Sequence, residues 1–93
     1  MNCDDLKYSF QRYIIIDIRS KEDFCNGHIP NSINIEHIEL IKNASQYLNE
    51  HKHYLIICDE GITSKVVCIK LGKYKLTNVI GGFAKWDGPI SKC

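Results

Sequence analysis

The middle of the sequence reads Ile56-Ile57-Cys58-Asp59-Glu60-Gly61-Ile62-Thr63-Ser64-Lys65. Apolar residues at 54–57 predict a short buried strand, and residues 64–71 predict a helix soon after it. The first turn of a helix has backbone N–H groups without internal partners and carries the positive end of the helix dipole. A curled loop leading into such a turn can therefore surround an anion. Cys58 would lie at the rim of that loop, where a thiolate is favoured, and we predict it to be a nucleophile.

The segments on either side predict strands that alternate with short helices. Residues 13–18 are apolar on both faces and rich in β-branched side chains, which is typical of a strand covered on two sides. A helix at 20–24 has Ser20 as its predicted N-cap and ends at Asn26-Gly27. The other predicted elements are a strand at 33–35, a helix from 36 to 48, a strand at 76–80 and a short helix after Gly81-Gly82.

Two finer patterns complete the predicted fold. Leu6, Tyr8 and Phe10 alternate with polar residues and predict a short edge strand. The helix from 36 to 48 is predicted to place one apolar stripe on the core, formed by Ile38, Ile41, Ala44 or Ser45, and Leu48. Strands alternating with helices predict an α/β fold with a central, mostly parallel sheet of four or five short strands. Ligands bind such sheets beyond the carboxyl ends of the strands, where Cys58 is expected.

The composition is that of an ordinary globular domain. The 93 residues, of which 44% are hydrophobic and 25% charged, predict one domain spanning 1–93. A net charge of +1 gives no reason to expect nucleic acid or a membrane surface as a partner. The first residues have neither a basic nor a long apolar segment, so we expect no secretory signal and a cytoplasmic location. We also expect a monomer.

The cysteines and histidines do not form a recognisable metal or disulfide pattern. No two of the five cysteines have C-x-x-C spacing, and without an export signal we do not expect a disulfide framework. No metal is predicted. Cys68 is expected in the core, and Cys3 and Cys93 are expected to be incidental residues near frayed termini. Cys25 is the minority candidate for a resolving thiol.

Four motifs, in order and in register over residues 13–86, resemble those of the rhodanese-like family. They are Asp17-Ile18-Arg19 with Glu22-Asp23-Phe24, Gly27-His28-Ile29-Pro30-Asn31-Ser32-Ile33-Asn34-Ile35, Cys58-x-x-Gly61-x-Thr63-Ser64, and Val79-Ile80-Gly81-Gly82-Phe83-x-x-Trp86. The second is close to the family's G-H-I-P-G-A-x-N-I. The resemblance implies a three-layer fold in which helices flank the sheet, and it implies a sulfurtransferase.

The implied chemistry agrees with the prediction that Cys58 is a nucleophile in an anion-binding loop. A thiolate at Cys58 would attack the sulfane sulfur of a donor, which is thiosulfate or a persulfide, and a thiol or cyanide would then remove that sulfur. The partners are thus a small-molecule sulfane donor or a protein persulfide or thiol, and no cofactor is needed. Backbone amides, together with two hydroxyls, would hold the negative sulfur. The loop residues expected to bind the substrate are Asp59, Glu60, Gly61, Ile62, Thr63 and Ser64.

The loop departs from the family pattern in two ways. Thr63 stands where many members have Arg, so a fixed positive charge is lost. Asp59 and Glu60 place two acids next to the nucleophile, where they oppose both thiolate formation and the entry of an anionic donor. Lys65 offsets only part of that charge. We therefore expect thiosulfate to be a poor substrate, and a protein persulfide or a low-molecular-weight thiol to be the better partner.

Other residues in these motifs are interpreted as scaffold. Asp17 is expected to accept backbone N–H bonds, Arg19 to pair with a carboxylate, and His28 to act as a hydrogen-bonding clamp. Trp86 and Phe83 are expected to pack the last helix on the sheet.

Two other functions compete with sulfur transfer. A rhodanese-related phosphatase or arsenate reductase needs an Arg that closes the loop and clamps an oxyanion, whereas residue 64 is Ser. A non-catalytic interaction or sulfur-carrier module could retain the fold and use the loop for docking. The cysteine and the residues around it favour sulfur transfer over this alternative.

Overall fold

Four short strands form one parallel sheet at the centre of the chain. The structure is a computed structural model that describes all 93 residues. The strands are β1 (Ile14–Asp17), β2 (Ile33–Asn34), β3 (His53–Ile57) and β4 (Lys75–Asn78), in the spatial order β2-β1-β3-β4. All three pairings are parallel; Asp17 lies opposite Ile57, and Ile56 lies opposite Asn78. The carboxyl ends of β1, β3 and β4 therefore meet at one edge of the sheet.

Both faces of the sheet are buried, as the apolar strands predicted. Successive side chains of a strand point to opposite faces. Ile15 and Leu55 accordingly belong to one apolar cluster, and Ile16 and Ile56 belong to a second one on the other face. A polar side chain at any of these four positions would face a core rather than water, which is why neither β1 nor β3 shows a polar–apolar alternation.

Short helices cover the two faces. They are α1 (Cys3–Leu6), α2 (Lys21–Asn26), α3 (His37–Lys42), α4 (Ala44–Tyr47) and α5 (Ile62–Lys70), with 3₁₀ turns at Phe10–Arg12 and Phe83–Lys85. Leu6 and Trp86 pack on one face of the sheet, whereas Leu40 and Val67 pack on the other. The predicted three-layer α/β architecture is confirmed. No helix combines the length and the apolar character that are needed to cross a membrane.

The predicted edge strand near the N-terminus is wrong. Residues 3–6 form helix α1, which Asn2 caps because its side-chain oxygen accepts a hydrogen bond from the Asp5 amide at 2.9 Å. Leu6 is fully buried, but Tyr8 is 83% exposed, so the apparent alternation of apolar residues does not face one core. The β-type pairing of this segment is instead a single parallel bridge between Asn2 and Ile80, just beyond β4.

The predicted helix from 36 to 48 is two helices, and its predicted stripe is partly wrong. The chain leaves helical geometry at Asn43, whose φ is −126°, between α3 and α4. Ile38 is 69% exposed, and Leu40 takes the buried position in its place. Ile41 and Leu48 face the core as predicted. The helical period alone could not identify the buried face, because Ile38, Leu40 and Ile41 are all apolar.

The C-terminal segment is tied to the end of α2, which the sequence did not predict. His28 and Ser91 exchange two backbone hydrogen bonds of 2.9 Å. Next to them, Cys25 and Cys93 form a disulfide. The expectation that these two cysteines are unpaired is therefore wrong, since the fold brings together thiols that are 68 residues apart in sequence.

Candidate active site at the end of strand β3

Cys58 follows β3 directly, and the chain then turns sharply into α5. Gly61 makes this turn with a φ of +89°, a left-handed conformation that glycine adopts without steric cost. A Cβ atom at Gly61 would also lie 2.9 Å from the backbone nitrogen of Gly81. The tight connection between strand and helix therefore requires glycine at this position, as the sequence suggested.

The loop closes around the sulfur of Cys58. The backbone amides of Gly61 and Ser64 each donate to Sγ at 3.2 Å, and the thiol donates to the Ser64 hydroxyl at 3.1 Å. These amides belong to the start of α5, where backbone donors have no partners within the helix. Of the loop residues predicted to bind substrate, only Gly61 and Ser64 hydrogen-bond the sulfur itself. The others surround the approach to it.

Cys58 is buried, yet it lines two cavities. Cys58 is 5% exposed. It lines a cavity of about 350 Å³ that we call the Cys58 cavity, formed by Cys58, Asp59, Glu60, Ile62 and Thr63. A second cavity of about 280 Å³ also includes Cys58, together with Arg19, His37 and residues around them. Cys58 thus borders two spaces of a size that suits a small molecule.

The mouth of the Cys58 cavity is acidic. Asp59 and Glu60 are exposed, and neither takes part in an ion pair. Thr63 is exposed as well and makes no hydrogen bond to the sulfur. The buried cation next to the site, Arg19, is committed to Asp17 at 2.8 Å and to the carbonyl oxygen of Gly27 at 2.7 Å. An anion that enters the site therefore meets two carboxylates and no free guanidinium.

Asp17 and Arg19 act as scaffold, as predicted. Asp17 Oδ1 accepts a hydrogen bond from the backbone amide of Arg19 at 3.0 Å, and the guanidinium forms a bidentate ion pair with the same carboxylate. Arg19 also lies 4.2 Å from the centre of the Phe83 ring. His28 is a clamp, since its Nδ1 is 2.7 Å from the carbonyl oxygen of Phe24 and its ring stacks on Phe24.

The turn at Gly81-Gly82 supports the loop from behind, a role that the sequence did not reveal. The amides of Phe83 and Ala84 donate to the carbonyl oxygens of Cys58 and Asp59 at 2.8 and 2.9 Å. Gly82 has a φ of +61°, and a Cβ there would lie 2.5 Å from the Cys58 carbonyl oxygen. The repeated glycine was the available signal, because close approach of two backbones excludes a side chain.

Asn78, at the end of β4, is the other residue that sequence reasoning missed. Its Oδ1 accepts a hydrogen bond from the Ser64 hydroxyl, and its Nδ2 donates to the carbonyl oxygen of Gly61 at 3.2 Å. A polar residue at the carboxyl end of a strand was the signal. The predicted strand at 76–80 extended past this position, which concealed it.

The remaining free thiols have environments unlike that of Cys58. Burial raises the pKa of Cys68, which packs against the same apolar cluster as Cys58 from α5. Burial, followed by the charge of Asp4, raises the pKa of Cys3 as well. Both groups are therefore protonated at neutral pH. No three His, Cys, Asp or Glu side chains in the chain cluster so as to hold a metal ion.

Comparison with known proteins agrees with this geometry. The rhodanese-like domain family matches residues 3–88. The chain belongs to the rhodanese-like domain family. Its relatives include "putative sulfurtransferase YtwF" of Bacillus subtilis, 34% identical over 76 residues that make up 80% of this rhodanese-like chain and 73% of YtwF. A further relative from B. subtilis, "putative sulfur carrier protein YrkF", is 35% identical over 77 residues, 80% of this chain but 41% of YrkF.

Solved structures show the same fold. A rhodanese-related protein from Thermoplasma volcanium superimposes with a TM-score of 0.88 and 29% identity, over 98% of this rhodanese-like chain and 95% of that one. The family and the α/β fold expected from the four motifs are thus confirmed.

Proposed function

We propose that this rhodanese-like domain is a sulfurtransferase that carries sulfane sulfur as a persulfide on Cys58. One observation carries the proposal: the amides of Gly61 and Ser64 both point at Sγ from 3.2 Å, at the edge of an open cavity. Two aligned N–H donors stabilise a negatively charged sulfur, because they replace the water molecules that would otherwise solvate it. The relatives named for sulfur transfer and sulfur carriage support the same chemistry.

The reaction takes place in two displacements. The Cys58 thiolate attacks the outer sulfur of the donor, forming an S–S bond to Sγ while the donor's own S–S bond breaks. Thiosulfate leaves as sulfite, and a persulfide leaves as a thiolate. An acceptor thiolate then attacks the outer sulfur of the Cys58 persulfide, which returns Cys58 as a thiolate and forms a new persulfide on the acceptor. No electrons are gained or lost overall, so no cofactor is required.

The acidic mouth favours thiol-based donors over thiosulfate. Thiosulfate carries two negative charges, and Asp59 and Glu60 repel it before it reaches the sulfur. A protein persulfide, or a small persulfide with a neutral or basic neighbour, meets less repulsion. We therefore propose a persulfide as the physiological donor and a thiol as the acceptor.

The test is direct loading of the protein with sulfur. Purified protein is treated with thiosulfate or with glutathione persulfide and then examined by intact-mass spectrometry. We expect a gain of one sulfur atom that disappears on treatment with a thiol and is absent from Cys58→Ser. Cys68→Ser, the matched control, retains it because burial keeps that thiol protonated. A gain that persists in Cys58→Ser would contradict the role of Cys58.

Intact-mass spectrometry also distinguishes sulfur transfer from the alternative function. A non-catalytic interaction module would retain the fold and bind through the loop without taking up sulfur. No adduct with thiosulfate, glutathione persulfide or cysteine persulfide would support that module. The enclosed Cys58 sulfur and its two amide donors favour transfer.

A further inference from the structure

Cys58 is the first member of a hydrogen-bonded chain that leads away from the cavity. The Cys58 thiol donates to Ser64 Oγ at 3.1 Å, and the Ser64 hydroxyl donates to Asn78 Oδ1. The orientation of the Asn78 amide is fixed on its other side, where Nδ2 donates to the carbonyl oxygen of Gly61 at 3.2 Å. Ser64 is fully buried, so no water competes for its hydroxyl.

This order of donors suits a neutral thiol and not a thiolate. A serine hydroxyl has one proton, and here that proton points at Asn78. The lone pairs of Ser64 Oγ therefore face the sulfur. When Cys58 loses its proton, the sulfur becomes an acceptor and faces another acceptor at 3.1 Å. The Ser64 proton must then turn to the sulfur, which leaves Asn78 Oδ1 without a donor.

We propose that Asn78 is a positioning residue that acts through the Ser64 hydroxyl and thereby sets the balance between thiol and thiolate at Cys58. Asn78 holds the hydroxyl proton in the resting state and gives it up when the thiolate forms. Asn78 touches neither the sulfur nor the Cys58 cavity. It is linked to the site through the Ser64 hydroxyl and through the carbonyl oxygen of Gly61, and the proposal assigns its effect on the thiol to the first of these links. The inference builds on the proposed function, in which the thiolate is the reacting species.

The proposal predicts an unusual direction of change. Asn78→Leu removes the competing acceptor while keeping a side chain of similar size, so the Ser64 proton is free to bond the thiolate. Because hydrogen bonds to charged groups are stronger than those between neutral ones, the thiolate gains more than the thiol. A role in stiffening the loop alone would predict the opposite, since a looser loop aims its amides less well at the sulfur.

The experiment follows alkylation of Cys58 by iodoacetamide from pH 5 to 10, with peptide mass spectrometry to isolate this cysteine from Cys3 and Cys68. In Asn78→Leu the midpoint of the profile moves down by about half to one pH unit. Alkylation at pH values below the midpoint becomes about two- to fourfold faster, because the gain in thiolate exceeds its loss of nucleophilicity. Asn78→Ala is a second variant with the same expected direction.

Two comparisons make the result specific. Ser64→Ala moves the midpoint up, and adding Asn78→Leu to Ser64→Ala produces no further downward shift, because the hydroxyl proton is absent. Thr77→Val is the control in the same strand, because Thr77 precedes Asn78 in β4 and its hydroxyl contacts His53. This variant leaves the midpoint unchanged. An upward or absent shift in Asn78→Leu, or a downward shift that persists without Ser64, would overturn the proposal. Alkylation requires no sulfur donor, so this result is independent of whether Cys58 transfers sulfur.

Discussion

Asp59 and Glu60 stand exposed at the mouth of the Cys58 cavity without ion-pair partners, and we propose that they repel anionic donors. Replacing them in the double variant Asp59→Asn/Glu60→Gln removes two negative charges from the path of a dianionic donor. We expect kcat/KM for thiosulfate to rise about three- to tenfold at low salt, because attraction or repulsion at the mouth acts mainly on donor entry. Steady-state kinetics with cyanide as acceptor measure this.

The salt dependence identifies the cause of that change. Screening weakens interactions between exposed charges, so the difference between the double variant and the wild type should shrink at high ionic strength. Glu50→Gln is the control for a surface acid elsewhere, since Glu50 is exposed, pairs with Lys73 at 3.2 Å and lies in the segment before β3, away from the edge that carries Cys58. An equal gain in Glu50→Gln, or a gain unaffected by salt, would show that charge at the mouth is not responsible.

Among the elements of the fold, the Gly81-Gly82 turn holds the active loop in place. Gly82→Ala puts a Cβ 2.5 Å from the Cys58 carbonyl oxygen, in a backbone conformation with a φ of +61°. We expect a loss of about 2–4 kcal/mol in the free energy of unfolding, since strain and a backbone clash combine. Urea denaturation measures it. Gly72→Ala is the control, because its Cβ meets only the Ile69 carbonyl oxygen at 3.4 Å; a comparable loss there would contradict this assignment.

Elements determined by neighbouring residues could be predicted from the sequence, and elements determined by tertiary packing could not. Strands β1 and β3 were predictable because burial on two faces requires a continuous run of apolar residues. The Cys58 loop was predictable because its tight turn requires the glycine at position 61. The break at Asn43 and the exposure of Ile38 were not, since packing of α3 on the rest of the molecule selects Leu40 for the core. A period of 3.6 residues cannot choose between adjacent apolar positions.

The assembly of the site belongs to the scale of the whole molecule. Asp17, Cys58 and Asn78 are far apart in sequence, but parallel strands bring their carboxyl ends to one edge of the sheet. The local motif predicted Cys58 and a ring of backbone amides, of which those of Gly61 and Ser64 donate to the sulfur. It could not pair Ser64 with Asn78, because that contact depends on the register of β3 against β4.

The Cys25–Cys93 disulfide is the longest-range covalent constraint in the chain, and it predicts a redox-dependent stability. Closing a loop between residues 68 positions apart removes conformational freedom from the unfolded chain, which stabilises the fold by about 2–4 kcal/mol. For a domain of this size the melting temperature should fall by about 10–20 °C on reduction. Thermal unfolding with and without tris(carboxyethyl)phosphine measures the change.

Cys25→Ser should melt at the lower temperature under both conditions, because it has no bond to reduce. Thiol titration of the oxidised, denatured protein should find the three free cysteines Cys3, Cys58 and Cys68, and five free thiols there would contradict the bond.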